Sequence, residues 1–273
     1  MKKDKMKILA VIVNYGNEQL HFLEKMILSL KSFKKYKVSI MVHSNISVKI
    51  NGIDELKIFN LDNYKLLPLT CRKTIWENKD NYDLFCYSEN DLLLREIHFD
   101  KHIEYEKILP KNRISGLIRY EFDGKKKYYP DYHGDFDWKF NSIEKFNNKY
   151  FAHFTNLHQG CFIVTKSQLK SIGTKFNFLE LVKDKIPLTH KLKKKIYKKL
   201  KLKVKKHYTY DDMCKTCTDI YQYGGMKKVI CISEFSENLI HHLPNIYING
   251  EKGRKKLRSE QDRMNTALKK MLP

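Results

Sequence analysis

An unbroken apolar run near the start of the chain, Ile8 to Val13, constrains the fold more than any other feature of the sequence. A strand with both faces buried in a parallel sheet has this pattern, whereas a strand with one wet face alternates between apolar and polar residues. The run ends at Asn14, and apolar residues then recur at helical spacing from Leu20 to Leu30, which predicts a helix. A buried strand that leads into such a helix indicates an α/β unit.

The same pattern continues through the first hundred residues. Strands are expected at 38–42, at 56–61 and at 82–87, and a helix at about 69–77 precedes the last of them. This alternation predicts an α/β fold, a single domain with a mostly parallel central sheet flanked by helices. Ligands of such sheets bind at the carboxyl ends of the strands, and the polar residues expected there are Asn14, Tyr15, Ser44, Asn45, Glu89, Asn90 and Asp91.

The second half of the chain is less regular. Residues 120–150 are rich in Tyr, Asp, Gly and Lys, and we expect them to form a long loop region. Further elements are expected beyond them: a strand at 161–164, a helix after the capping box of Thr165, a helix at 211–223 and a strand at 229–232. The loop after that last strand carries His241 and His242.

The charge of the chain predicts an anionic partner, since 53 Lys and Arg against 31 Asp and Glu give a net charge of +22. Residues 191–206 hold ten lysines in sixteen positions, and Leu192, Ile196, Leu200 and Val204 recur at intervals of four. That spacing predicts a basic amphipathic helix that binds an anionic membrane surface. A solvated insertion is the equally weighted alternative.

Neither a secretory signal nor a membrane-spanning segment is expected. The N-terminal apolar run is too short for a signal peptide, and no stretch approaches about 18 consecutive apolar residues. The six cysteines are scattered, apart from Cys214 and Cys217, and are expected to be reduced thiols. The sequence therefore predicts a cytoplasmic protein, attached peripherally to the inner membrane face if residues 191–206 bind lipid.

An acidic pair, Glu89 and Asp91, follows the strand predicted at 82–87. Residues two apart in extended structure point the same way, so both carboxylates can reach one cation. Oxygen ligands suit Mg²⁺ or Mn²⁺, whose remaining coordination positions can take a diphosphate. Such pairs also arise by chance, and a solvated strand end is the alternative.

Several motifs, taken in order, resemble GT-A-type nucleotide-sugar glycosyltransferases of the family 2 kind. They are Val11–Tyr15, Arg72 before the acidic strand, Tyr87–Leu93, His158–Lys166, Lys228–Ser233 and Leu239–Leu243. In that fold the acidic pair is the DxD motif, here with Glu in the first place. The resemblance covers about residues 8–99 and 150–249. It implies a donor-binding half at 1–110, an acceptor-binding half at 111–250 with a basic insertion at about 183–207, and a C-terminal helix or tail at 251–273.

The resemblance also implies roles for individual residues. Glu89 and Asp91 would hold Mn²⁺ or Mg²⁺, with His242 or His241 as a third protein ligand. Asn14 and Tyr15 would lie near the nucleotide base, and the polar strand ends would complete the donor site through Ser44, Asn45 and Asn90. Arg72 would pair with a phosphate or orient the acidic motif.

An inverting transferase needs a carboxylate that takes the proton of the acceptor hydroxyl. Members of the family carry an acidic residue at the start of a helix in the acceptor half, and Asp212 is the first candidate here, with Asp211 the second. Both could instead be carboxylates that complement a helix dipole. The motif departs from the family's usual Glu-Asp form, so the choice between inverting and retaining stereochemistry stays open.

The function predicted from the sequence is therefore metal-dependent transfer of a sugar from a nucleoside diphosphate sugar, with a UDP-sugar favoured, to a glycan or lipid-linked glycan. A basic nucleic-acid-binding protein is an alternative, but the basic tract holds a single aromatic residue, Tyr197, where a stacking surface would need several. A nucleotidyltransferase is a third alternative, although no Gly-rich phosphate loop follows the first strand.

Overall fold

A computed structural model describes residues 4–134, 136–183, 196–197, 200, 209–248 and 259–273. Helices and strands alternate along this mixed α/β chain. The helices are α1 (Leu20–Lys31), α2 (Leu67–Glu77), α3 (Glu96–Ile108), α4 (Lys166–Gly173), α5 (Asp212–Tyr223) and α6 (Gln261–Met271). The strands are β1 (Met6–Asn14), β2 (Tyr36–Ser44), β3 (Glu55–Ile58), β4 (Leu84–Glu89), β5 (Leu92–Leu93), β6 (Arg113–Ser115), β7 (Ile118–Phe122), β8 (Lys127–Tyr129), β9 (Glu144–Phe146), β10 (Lys149–Ala152), β11 (Cys161–Thr165), β12 (Lys227–Cys231), β13 (Leu239–His242) and β14 (Ser259–Glu260).

The first sheet has the order β11-β4-β1-β2-β3. Strand β1 runs parallel to β2 and β4, β2 runs parallel to β3, and only β11 is antiparallel. Residues Ile8 to Ile12 of the central strand are completely buried, because α1 packs on one face and α2 and α5 pack on the other. A mostly parallel sheet flanked by helices is therefore confirmed, and burial on both faces explains the unbroken apolar run.

The strand register brings the polar strand ends together. Asn14 of β1 lies opposite Ser44 of β2, and Val13 lies opposite Glu89 of β4. Because the three strands are parallel, their carboxyl ends meet at one edge of the sheet, which is where α/β proteins bind ligands. The fold thus places Asn14, Ser44 and Glu89 at a single edge.

Two further sheets contain most strands of the second half, in the orders β6-β12-β10-β9 and β14-β8-β7-β13-β5. The prediction of a long loop at 120–150 is wrong, since this segment contains β8, β9, the start of β10 and the end of β7. These strands have three to five residues, and β8 pairs with β14 from the far end of the chain. Strands so short carry too few positions for a period to be recognised.

The helices predicted after Thr165 and at 211–223 are present. Thr165 caps α4, with its side chain accepting from the N–H of Gln168, and α5 ends at Gly224. Most of the basic tract 191–206 lies outside the described residues; within it, Ile196 and Leu200 are joined by one backbone hydrogen bond of helical spacing and are exposed. Among the described helices, none combines the length and the apolar character needed to cross a membrane.

Candidate functional site

A cluster of buried amide and hydroxyl groups fixes the carboxyl edge of the first sheet. The Asn14 side chain donates to Oγ of Ser44 at 3.1 Å and accepts from Nδ2 of Asn90 at 2.7 Å. Asn45 accepts from the backbone N–H of Gly16 at 2.8 Å, in a turn where Gly16 has a φ of 68°. The structure therefore brings these four predicted residues to one place, where their polar atoms hold the edge in shape.

A cleft of about 550 Å³ opens at this edge. Aromatic and polar residues of the first half line most of it, and the N-terminal turn of α5 contributes Met213. Tyr15 is 63% exposed, and its ring lies 5.4 Å from that of Tyr64. The predicted acidic pair, Glu89 and Asp91, also lines the cleft, together with Asn90.

Glu89 ends β4 beneath the loop that leads into β11. Its backbone N–H donates to the carbonyl of Gly160 at 2.9 Å, and a Cβ at position 160 would lie 2.9 Å from Oε2 of Glu89. Gly160 has a φ of 67°, so both its conformation and its missing side chain leave room for the carboxylate. Burial, and next the charge of Asp91, raise the pKa of Glu89 to about 7.

Asp91 is buried, and its two carboxylate oxygens differ. Oδ2 lies 3.2 Å from Nε2 of His242, whereas Oδ1 is buried and has no hydrogen-bond partner among the described residues. Although burial acts in the opposite direction, the hydrogen bond from His242 holds the pKa of Asp91 below its usual value. Asp91 therefore keeps one buried, charged oxygen without a donor, which is costly unless a ligand supplies one.

His242 lies between two carboxylates. Nε2 faces Asp91, and Nδ1 lies 2.7 Å from Oε1 of Glu121, a completely buried residue of β7. These hydrogen bonds outweigh burial and raise the pKa of His242 to about 9, so the ring is protonated at neutral pH. His242 lies beside Asp91, as predicted, but both of its ring nitrogens already bond carboxylates.

Of the two histidines predicted as alternatives for a third metal ligand, His241 does not face Asp91. Its ring stacks on Tyr120, with centroids 4.9 Å apart and planes 13° from parallel. Successive side chains of a strand point to opposite faces, so His241 in β13 points away from Asp91 when His242 points toward it.

A buried ion pair behind the cleft was missed by the sequence analysis. Arg119 of β7 donates from Nε and Nη2 to the two carboxylate oxygens of Asp131, at 2.9 and 2.6 Å. Arg119 and Glu121 are two residues apart on one strand, so both face the interior beside His242. That i, i+2 spacing of two charged residues was the available signal, and the expectation of a loop at 120–150 concealed it.

Arg72 does not reach the cleft, and the prediction that it contacts a phosphate or the acidic motif is contradicted. The completely buried guanidinium donates to the carbonyls of Phe178 and Glu180 at 2.7 and 3.0 Å and pairs with Asp219 of α5 at 3.3 Å. The Phe178 ring also packs against it. Arg72 therefore joins α2, α5 and the 177–180 segment, because its fork of donors matches several oxygens in a fixed geometry.

The two acidic residues at the start of α5 have different environments. Asp211 is the N-cap, and its Oδ1 accepts from the backbone N–H of Cys214 at 2.8 Å. Asp212 is the first residue of α5, and its side chain is exposed. Asp211 therefore has the capping role that was its alternative, while a catalytic role for Asp212 stays a prediction.

The residues at the cleft suit a divalent ion in part. Within the described parts of the chain, no three His, Cys, Asp or Glu side chains stand ready to hold a metal ion together. Mg²⁺, however, is commonly held by one or two carboxylates with water and substrate phosphates. The cleft is lined by two carboxylates, Asp91 with its unpartnered Oδ1 and Glu89 under Gly160, so a site of this kind would need no histidine.

The cysteines add no further ligand set. All six are free thiols, and Cys214 and Cys217 lie 3.9 and 3.6 Å from the two ring nitrogens of His158. Burial raises the pKa of Cys217 to about 12, so this thiol stays protonated.

No protein-family model matches the chain, and a search of curated proteins found no significant match.

Proposed function

We propose that the chain is a glycosyltransferase of the GT-A type that takes a sugar from a nucleoside diphosphate sugar, with a UDP-sugar favoured, and uses Mn²⁺ or Mg²⁺. One observation carries the proposal: Glu89 and Asp91 line a cleft at the carboxyl edge of parallel strands, and Oδ1 of Asp91 has no donor among the described residues. The proposed acceptor is a glycan or a lipid-linked glycan.

The chemistry of the acidic pair supports a cation-bridged diphosphate. A diphosphate and two carboxylates repel one another, so they share a cleft only if positive charge lies between them. Glu89 and Asp91 would hold the ion through their carboxylates, and the free oxygen of Asp91 suits this use. When bound, the ion would offset the charge of the departing diphosphate.

The surrounding residues would order this site. His242 bonds Asp91 on one side and Glu121 on the other, so the Asp91 carboxylate is held in one orientation. Glu121 is itself fixed, because its second oxygen accepts from the backbone N–H groups of Tyr247 and Ile248 at 3.0 and 2.9 Å. This chain of hydrogen bonds favours a preorganised acidic pair.

On the acceptor side, we assign the general base of an inverting reaction to Asp212. Its carboxylate is exposed at the first turn of α5, and the next residue, Met213, lines the cleft. An exposed carboxylate can accept the proton of a sugar hydroxyl without first breaking a structural bond. A retaining reaction, in which Asp212 would have no such role, is the alternative.

The proposal is tested with a panel of nucleoside diphosphate sugars, with and without Mn²⁺. A ligand that binds only the folded chain raises the melting temperature, so one sugar nucleotide should raise it, and more strongly with Mn²⁺. The same compound should release its nucleoside diphosphate slowly in a Mn²⁺-dependent assay, and Asp91→Ala should abolish that release.

Asp62→Ala is the matched control, because Asp62 is an exposed aspartate outside the cleft lining. It should release nucleoside diphosphate at the wild-type rate. Full release by Asp91→Ala, or no response to any sugar nucleotide, would contradict the proposal.

A further inference from the structure

The cleft contains a single cation among its described lining residues, Lys65. Lys65 lies in the 3-10 turn that precedes α2, and its backbone N–H donates to Oδ1 of Asn63 at 3.1 Å, which fixes the turn. The side chain is exposed. Lys65 therefore offers a positive charge at the same cleft that Glu89 and Asp91 line.

A neighbouring aromatic pair supplies a second, different surface. The rings of Tyr15 and Tyr64 lie 5.4 Å apart and are tilted by 56°, which leaves no room for a planar base between them, since that would need about 7 Å. Tyr15 is nevertheless 63% exposed. The pair is thus a platform with one open face, of the kind on which bases stack.

The acidic pair completes the argument, because the cleft that carries this platform and this lysine is also lined by Asp91, whose buried Oδ1 has no hydrogen-bond partner among the described residues. A nucleoside diphosphate presents a flat base, two phosphates and an attached metal ion, and each has a complement here. Arg72, which was expected to meet the phosphates, is closed off by Asp219 and backbone carbonyls.

We propose that Lys65 is the residue that contacts the diphosphate of the donor and that the open face of Tyr15 stacks on its base. This inference rests on the proposed function. An ammonium provides three donors on a flexible stem and binds phosphate as a point charge, which suits an exposed position at the start of α2.

The inference is tested by calorimetric titration of the full chain with UDP in Mn²⁺, and by NMR titration with uridine. Lys65→Met should weaken UDP binding about tenfold, because a hydrogen bond to a charged group is lost, and leave uridine binding within about twofold. Its UDP affinity should also depend less on salt. Tyr15→Ala should weaken both ligands about fivefold or more, while Tyr15→Phe should keep both.

Lys73→Met is the matched control. Lys73 lies on α2, the helix that follows the turn of Lys65, and it is exposed and stands outside the cleft lining, so its removal should change neither affinity. Wild-type UDP affinity in Lys65→Met, or an equal loss for UDP and uridine, would overturn the assignment of Lys65. If the wild type binds neither UDP nor GDP in Mn²⁺, the proposed function fails and this inference fails with it.

Discussion

Asp91 and Asp131 are both buried aspartates of this protein, yet their surroundings differ. Asp131 accepts from Arg119 with both carboxylate oxygens, at 2.9 and 2.6 Å, and both side chains are almost inaccessible. Asp91 has one oxygen on His242 and a second with no hydrogen-bond partner among the described residues, and it borders a cleft. Asp131 is thus a closed carboxylate, since both of its oxygens are hydrogen-bonded within the fold. Asp91 is an open carboxylate, since one of its oxygens remains for a ligand.

The comparison predicts its largest effect for the free energy of unfolding, which should change very differently when each aspartate is replaced. Asp131→Asn leaves Arg119 charged and buried with no full partner, which should lower the free energy of unfolding by about 3–5 kcal/mol. Asp91→Asn should cost less than about 1 kcal/mol, because His242 keeps Glu121 and because the repulsion between Asp91 and Glu89 is relieved. Urea unfolding at neutral pH measures both changes.

Glu77→Gln is the control for this pair of variants. It removes one partner of an exposed i, i+4 ion pair with Lys73, which should change the stability by less than about 0.5 kcal/mol. Equal losses for Asp131→Asn and Asp91→Asn would remove the distinction between a closed and an open carboxylate.

A smaller effect should appear in the dependence of stability on pH, through a residue close to Asp131. Lys228 is buried near Asp131, with its ammonium 3.4 and 3.3 Å from the carbonyl oxygens of Asn156 and Leu157, and burial lowers its pKa to about 8. Between pH 8 and 10.5 the unfolded chain binds a proton that the folded chain does not. Stability due to Lys228 should therefore rise with pH in this window, by about 2–3 kcal/mol.

The measurement is the difference in unfolding free energy between the wild type and Lys228→Met from pH 7 to 10. Methionine removes the titrating group and keeps most of the side-chain length, so all other titrations largely cancel in the difference. The wild type should gain on the variant as the pH rises. A difference that stays flat, or one that falls, would contradict the lowered pKa of Lys228.

The sequence predicted the edge of the first sheet, where Asp91 lies, better than it predicted the buried ion pairs. Burial on both faces of β1 gave an unbroken apolar run, and parallel strands bring Asn14, Ser44 and Glu89 to one edge, so local pattern sufficed there. Arg72, by contrast, pairs with Asp219, which is 147 residues away. Local pattern indicates that a residue is polar or apolar, but it does not choose among distant partners.

The same reasoning explains the other errors. Glu121 and Arg119 lie in a short strand, and one of its two neighbours in the sheet, β13, is more than a hundred residues further along the chain, so their i, i+2 spacing alone did not mark them as buried. His241 and His242 were equal candidates until the register of β13 placed one toward Asp91 and the other on Tyr120.

A crystal of the full chain grown with Mn²⁺ and UDP tests the central claim most directly. We predict anomalous density for one manganese ion within about 2.0–2.3 Å of oxygens of both Glu89 and Asp91 and of the diphosphate. Manganese bound elsewhere, or UDP in the cleft with both carboxylates turned from it and no ion between them, would contradict the account.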